Sequence, residues 1–85
     1  MTKRVYRRRT DPDFEAFNQK LAERIRTLRV EQDVDQDDFA RQANLHRTHM
    51  SQLENAKTDP TLSTVFKVSK ALGISVSELL DFGAA

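Results

Sequence analysis

Arg47, Thr48, Ser51, Gln52 and Asn55 have side chains that suit the edges of DNA bases. At about 100° per residue they fall within an arc of roughly 140° on one side of a helix. Met50 and Leu53 lie on the far side. The outward stripe is therefore uncharged donors and acceptors plus one Arg, with no acid. Arg pairs bidentately with guanine, Gln pairs with adenine, and a Thr methyl packs against thymine. An ordinary polar helix face is the bland alternative. The lack of acids on the stripe and the turn that precedes it favour a recognition helix.

Other chemistries find little support. His46 and His49 are three residues apart, but no further His or Cys stands near them. No metal site is expected, and His49 is read as a packing residue at the edge of the apolar side. Ser51 beside His49 lacks an orienting acid and an oxyanion site, so no catalytic constellation is present. No enzyme activity and no cofactor are expected. The chain has no Cys, which removes both disulfides and thiolate metal sites.

The stripe needs elements to hold it. Asp35 is a good N-cap, and Asp38 three residues on offers an acidic version of the capping box. Phe39, Ala40 and Ala43 mark one face at helical spacing. Ala40 is small, so a following helix can cross closely. Asn44 sits where the chain must turn sharply, and Asn tolerates the left-handed region better than most residues. Leu45, Met50 and Leu53 then point back at Phe39 and Ala43. The stretch from Gln36 to Leu53 thus reads as two short helices around a tight turn.

This stretch resembles the helix-turn-helix of the Cro/repressor (XRE) family. That family usually has Gly where Asn44 stands. It also has a pattern E-x-G-x-x-x-P, which Glu54, Ala56 and Pro60 match except for Ala in place of Gly. The ending A-L-G-I-S-V-S-E-L-L is similar to the family's as well, so the resemblance covers about residues 20 to 82. It implies an all-α, compact five-helix repressor-like domain that binds double-stranded DNA. By position, the resemblance makes Arg47, Thr48 and Gln52 base readers, with Ser51 touching base or phosphate. It makes Gln36, at the start of helix 2, a phosphate clamp, with Asn55 and Lys57 as further phosphate contacts. It pairs Arg29, late in helix 1, with Glu54, late in the recognition helix, as a buried ion pair that orients helix 3. His46 stands where the family usually has a Ser or Thr cap.

The remaining segments fit that plan. Asp11 and Pro12 read as a cap followed by Pro in the first turn. Phe14, Phe17, Leu21, Ile25 and Leu28, in steps of 3, 4, 4 and 3, predict an amphipathic helix to about Glu31. Its first residues, Asp13 to Gln19, exceed the family's usual helix 1. Phe14 and Phe17 are read as capping the core or meeting a partner subunit. Leu62 to Leu72 predicts helix 4, with Leu62, Val65, Phe66, Val68 and Leu72 apolar, Thr61 as cap and Gly73 as stop. Ser75 and Glu78 form a capping box that opens a short last helix. Leu79, Leu80 and Phe82 on that helix are read as the apolar surface of a homodimer.

Charge is unevenly spread over the 85 residues, whose net charge is +1. Lys3, Arg4, Arg7, Arg8 and Arg9 stand against Asp11 and Asp13, a local surplus of +3, so residues 14–85 carry −2. Residues 1–10 hold too little apolar surface to pack and are read as a flexible basic arm that follows phosphates or enters a minor groove. Residues 11–85 form the helix-turn-helix domain. The acids Asp33, Asp35, Asp37 and Asp38 favour the helix dipole but weaken phosphate attraction. Affinity is therefore expected to lean on the arm or on dimerisation.

No apolar run approaches a membrane span and no secretory h-region follows the N-terminus, so a cytoplasmic protein without membrane association is expected. The reading is a sequence-specific transcriptional regulator that binds operator half-sites with helix 3, about residues 47–55, as a homodimer. A regulator with nothing beyond this domain would respond through its own concentration. The run N-L-H-R-T-H-M-S-Q-L-E further resembles restriction–modification controller proteins. Two alternatives share the fold: an antitoxin that binds a toxin or other regulatory protein and autoregulates, and an interaction module that has lost DNA binding.

Overall fold

The computed structural model describes residues 11–82. They form five helices: α1 (Pro12–Glu31), α2 (Gln36–Gln42), α3 (Arg47–Glu54), α4 (Leu62–Leu72) and α5 (Val76–Leu79). No strand occurs among them, so the fold is all-α. None of these helices is long and apolar enough to cross a membrane.

Each start is set by a side chain that takes up an otherwise unpaired backbone N–H. Asp11 accepts from the Asp13 N–H at 2.8 Å, with Pro12 in the first turn. Asp35 accepts from Asp38 N–H at 2.8 Å and Thr61 from Thr64 N–H at 3.1 Å. The Ser75–Glu78 box is complete in both directions. The box expected at α2 closes on one side only. The Asp38 carboxylate pairs with Arg41 one turn on instead of reaching back to Asp35.

The helix ends share one device. Asp33, Asn44, Ala56 and Gly73 all take positive φ, at 60°, 59°, 55° and 77°. After α2, Asn44 N–H donates to Arg41 O and Leu45 N–H to Ala40 O. After α3, Ala56 N–H donates to Leu53 O and Lys57 N–H to Gln52 O. Those are Schellman pairs, which satisfy the last carbonyls and turn the chain sharply. At α4 the same turn falls on Gly73, where a Cβ would meet nothing within 4 Å. Gly is needed there for its dihedral angle, not for space.

The core joins all five helices: Leu21 and Ile25 of α1, Phe39 and Ala40 of α2, Met50 and Leu53 of α3, Val68 and Leu72 of α4, and Leu79 of α5, with Ala43 from the turn. Burying each large side chain contributes about 1.5–3 kcal/mol. Ala40 and Ala43 are small enough for α2 and α3 to cross closely, and both are buried.

Two expectations about packing fail in informative ways. The face of α1 is rotated from the one read off its apolar residues. Asn18 is buried while Phe17 remains 41% exposed. The Asn18 amide donates to the Thr58 carbonyl at 2.9 Å, so α1 holds the α3–α4 loop through a satisfied polar group. Phe17 instead stacks at 5.2 Å on Phe82 and at 6.5 Å on Phe14.

The second correction concerns Leu79, expected on a partner surface. It is 0% exposed and belongs to the chain's own core. The helix α5 is one turn long, too short for periodicity to say which side faces in. It is fixed by Arg24, whose guanidinium donates to the carbonyls of Glu78 at 2.7 Å and Leu79 at 3.3 Å. Leu80 and Phe82 are half-buried against the same core. The largest exposed apolar side chains lie elsewhere: Leu62 at 78% and Phe66 at 56% on α4, with Val30 at the end of α1.

Candidate nucleic-acid interface

The start of α3 is fixed by an unusual cap. His46 has extended backbone angles, and its Nδ1 accepts from Thr48 N–H at 3.1 Å. An imidazole nitrogen thus takes the place of a Ser or Thr hydroxyl, and it accepts only from its unprotonated side. His49 is half-buried, consistent with packing.

From that cap the helix turns as the sequence predicts. Met50 and Leu53 face the core. Arg47, Thr48, Gln52 and Asn55 are exposed on the other side, and Ser51 is half-buried between them. Asn55 closes the helix, its amide donating to Ser51 O at 2.8 Å. Lys57 follows the left-handed Ala56 and is exposed. The stripe is thus a continuous polar surface with backbone ends fixed on both sides.

Glu54 is the hidden part of α3. Its side chain is 2% exposed, and Arg29 grips it bidentately, Nε to Oε2 at 2.7 Å and Nη2 to Oε1 at 3.0 Å. Arg29 also donates to the Val34 carbonyl at 2.7 Å, which ties in the chain before α2. The hydrogen bond to Glu54 raises the Arg29 pKa, against the opposing effect of burial. The two residues that the family resemblance paired are in direct contact.

Gln36 joins this group. Its Nε2 donates to Glu54 Oε1 at 3.1 Å, so the amide is half-buried and turned toward the ion pair. A primary amide carries two N–H bonds. One is used by Glu54, and the second has no acceptor among the described residues. Burial of Glu54 and orientation of Gln36 are thus one arrangement.

Two contributors are missing from the sequence reading, and only one of them left a signal along its own helix. Asp37, read from sequence only as an acid suited to the helix dipole, lies 3.5 Å from Arg47 Nε across the α2–α3 corner. The stripe is free of acid along α3, but an acid from α2 meets its edge. Periodicity carries no sign of such a pair, because it joins two elements. Asn18 did leave a signal: it stands three and seven residues before Leu21 and Ile25, on the inward face.

The basic residues Lys3, Arg4, Arg7, Arg8 and Arg9 lie outside the described residues. The point where that segment joins the domain is described. Asp11, Pro12 and Phe14 share the walls of an open cleft with Ala56, Lys57, Thr58 and Asp59 of the α3–α4 loop. The long α1 therefore places residue 11 on the wall of the same open cleft as Lys57.

Comparisons with known proteins bear on the family and the fold. The family model described as helix-turn-helix matches residues 25–79. The chain is 39% identical over 63 residues to the control protein C.MunI of a Mycoplasma species, covering 73% of this chain and 85% of that one. It is 34% identical over 63 residues to the control protein C.BamHI of Bacillus amyloliquefaciens, covering 73% and 78%. Among solved structures it is similar to the restriction-modification controller protein C.AhdI from Aeromonas hydrophila. That match has a TM-score of 0.73 at 28% identity and covers 75% of this chain and 97% of the other.

Proposed function

We propose, from the premise that this chain belongs to the helix-turn-helix family of Cro/repressor (XRE) type and is a DNA-binding transcriptional regulator, that it reads operator half-sites with α3 as a homodimer. The observation that carries the reading is the exposed polar stripe of Arg47, Thr48, Ser51 and Gln52, on a helix held from behind by a buried ion pair. In this reading those four side chains face base edges in a major groove. Gln36, Asn55 and Lys57 bind the flanking phosphates, Gln36 with the N–H that Glu54 leaves free. Lys3, Arg4, Arg7, Arg8 and Arg9 add charge contacts from the N-terminal segment. Likeness to the control proteins favours the narrower role of a restriction–modification controller.

Replacing Arg47 or Gln52 by Ala should cost about 1–3 kcal/mol per half-site on the best site and relax preference at one base position. Fluorescence anisotropy on matched and single-base-changed duplexes measures this. Variants that bind every duplex as the parent does would remove α3 as the reader.

A dimer is argued from two facts. One recognition helix reads too few base pairs for useful selectivity. The exposed Leu62 and Phe66 lie one turn apart on α4, with Leu80 and Phe82 partly buried on the neighbouring segment. We assign the two-fold interface to this α4–α5 side, with α4 supplying the exposed area that Leu79 does not. Phe66→Asp should then shift the sedimentation of the chain from dimer to monomer at tens of micromolar. A parent that sediments only as monomer, with and without operator DNA, would contradict the assembly.

A further inference from the structure

We propose that Asp37 is the positioning residue for the Arg47 guanidinium, and through it a determinant of which base is selected. The proposal rests on the reading of α3 as the DNA reader and adds to it a residue from α2.

The three acids at the start of α2 have different employments. Asp35 caps the helix. Asp38 pairs with Arg41 on its own helix. Asp37 alone reaches α3, with Oδ1 at 3.5 Å from Arg47 Nε. Both side chains are largely exposed, at 59% for Asp37 and 65% for Arg47. An ion pair that exposed contributes little to folding, and an acid in the first turn of α2 favours the helix dipole whether or not it reaches α3, so stability does not account for the contact with Arg47.

Affinity does not account for it either. Asp37 is the neighbour of Gln36, the proposed phosphate clamp, and a negative charge there opposes binding to DNA of any sequence. What it supplies is orientation. A free Arg side chain samples many rotamers, and its planar fork reads guanine only in one plane. With Nε drawn toward the Asp37 carboxylate by charge attraction at 3.5 Å, the two terminal nitrogens remain for guanine O6 and N7. Asp37 thus weakens all binding somewhat and sharpens the preference for guanine. The two effects have opposite signs, which separates this role from a structural one.

The test uses the full chain, a randomised duplex library, the single-base variants of the selected site, and a short duplex of scrambled sequence. In Asp37→Ala, preference for guanine at the Arg47 position should fall about 3- to 10-fold per half-site, a large part of what an Arg–guanine pair supplies. Affinity for the scrambled duplex should rise about 2- to 5-fold at low salt, and that rise should shrink as salt is added. Asp37→Asn keeps an acceptor for Nε–H without the charge. It should retain more of the guanine preference while raising scrambled-duplex affinity as Asp37→Ala does. In an Arg47→Ala background, Asp37→Ala should leave base preference unchanged and still raise scrambled-duplex affinity. Thermal midpoints close to the parent's show that the variants are folded.

Selected and scrambled duplexes gaining affinity by the same factor in Asp37→Ala would overturn the proposal, as would an unaltered guanine preference. If Arg47→Ala relaxes the selected base and Asp37→Ala does not, this inference fails alone. If Arg47→Ala leaves the selected sequence unchanged, the reading of α3 fails and takes this inference with it.

Discussion

Replacing Arg29 by Ala is expected to cost about 3–5 kcal/mol of stability, because it strands a carboxylate inside the protein. Glu54 is almost fully buried, and Arg29 supplies two of its hydrogen bonds. Gln36 supplies one more but carries no charge to offset it. For a domain of this size each kcal/mol lowers the thermal midpoint by about 4–8 °C, so a fall of roughly 12–40 °C is expected. The double variant Arg29→Met with Glu54→Leu removes both charges and should recover most of the loss. Urea denaturation of the three proteins measures this. A single-variant loss below about 1 kcal/mol would show that water or another group neutralises Glu54.

The same pair has a pH signature. The Arg29 pKa is raised in the folded protein, chiefly by its hydrogen bond to Glu54. A raised basic group stabilises fully below its unfolded pKa, and that stabilisation is lost only as pH climbs through the folded value. The Arg29 contribution should therefore be flat across neutral pH.

Deleting residues 1–9 is expected to flatten the salt dependence of DNA binding while leaving the preferred site mostly unchanged. The segment removed carries Lys3, Arg4, Arg7, Arg8 and Arg9, whereas residues 14–85 are net negative by two charges. It joins the domain at Asp11, which shares a cleft with Lys57. Its root thus lies on the same open cleft as a proposed phosphate contact. Each phosphate neutralised adds about 0.9 to the slope of log affinity against log salt, so two or three contacts per subunit steepen a dimer's slope by roughly 4–5. Between about 50 and 200 mM salt, a slope difference of that size changes the affinity ratio of parent to variant by roughly 10²–10³. A change in A·T preference at the flanks is allowed if the segment enters a minor groove. Affinity and slope equal to the parent's would assign the binding charge elsewhere.

The sequence carried the helix-turn-helix because several local signals agreed there. Asp35 as cap, Asn44 at the left-handed turn and the Met50–Leu53 inner face each have a physical reason, and each is in place. Where signals lived between elements, sequence reading fell short. Nothing in the spacing of Asp37 and Arg47 says that two helices bring them together. Leu79 was misread because a one-turn helix has no period, and its inward side is chosen by Arg24 and the neighbouring helices. On α1, two Phe residues outweighed one Asn in the pattern, yet the Asn is buried because a loop carbonyl satisfies its amide. His46 as a cap departs from the usual hydroxyl chemistry, but an unprotonated imidazole nitrogen serves the same N–H.

The central claim is that α3 reads DNA sequence and that two copies do so together. Selection of binding sites from a random duplex library by the purified chain tests it most directly. The account predicts enrichment of a two-fold-symmetric pair of half-sites with centres about 10 base pairs apart. It also predicts that Arg47→Ala and Gln52→Ala each change the enriched base at one position per half-site. No enrichment above the starting library, or an enriched site indifferent to both substitutions, would contradict it.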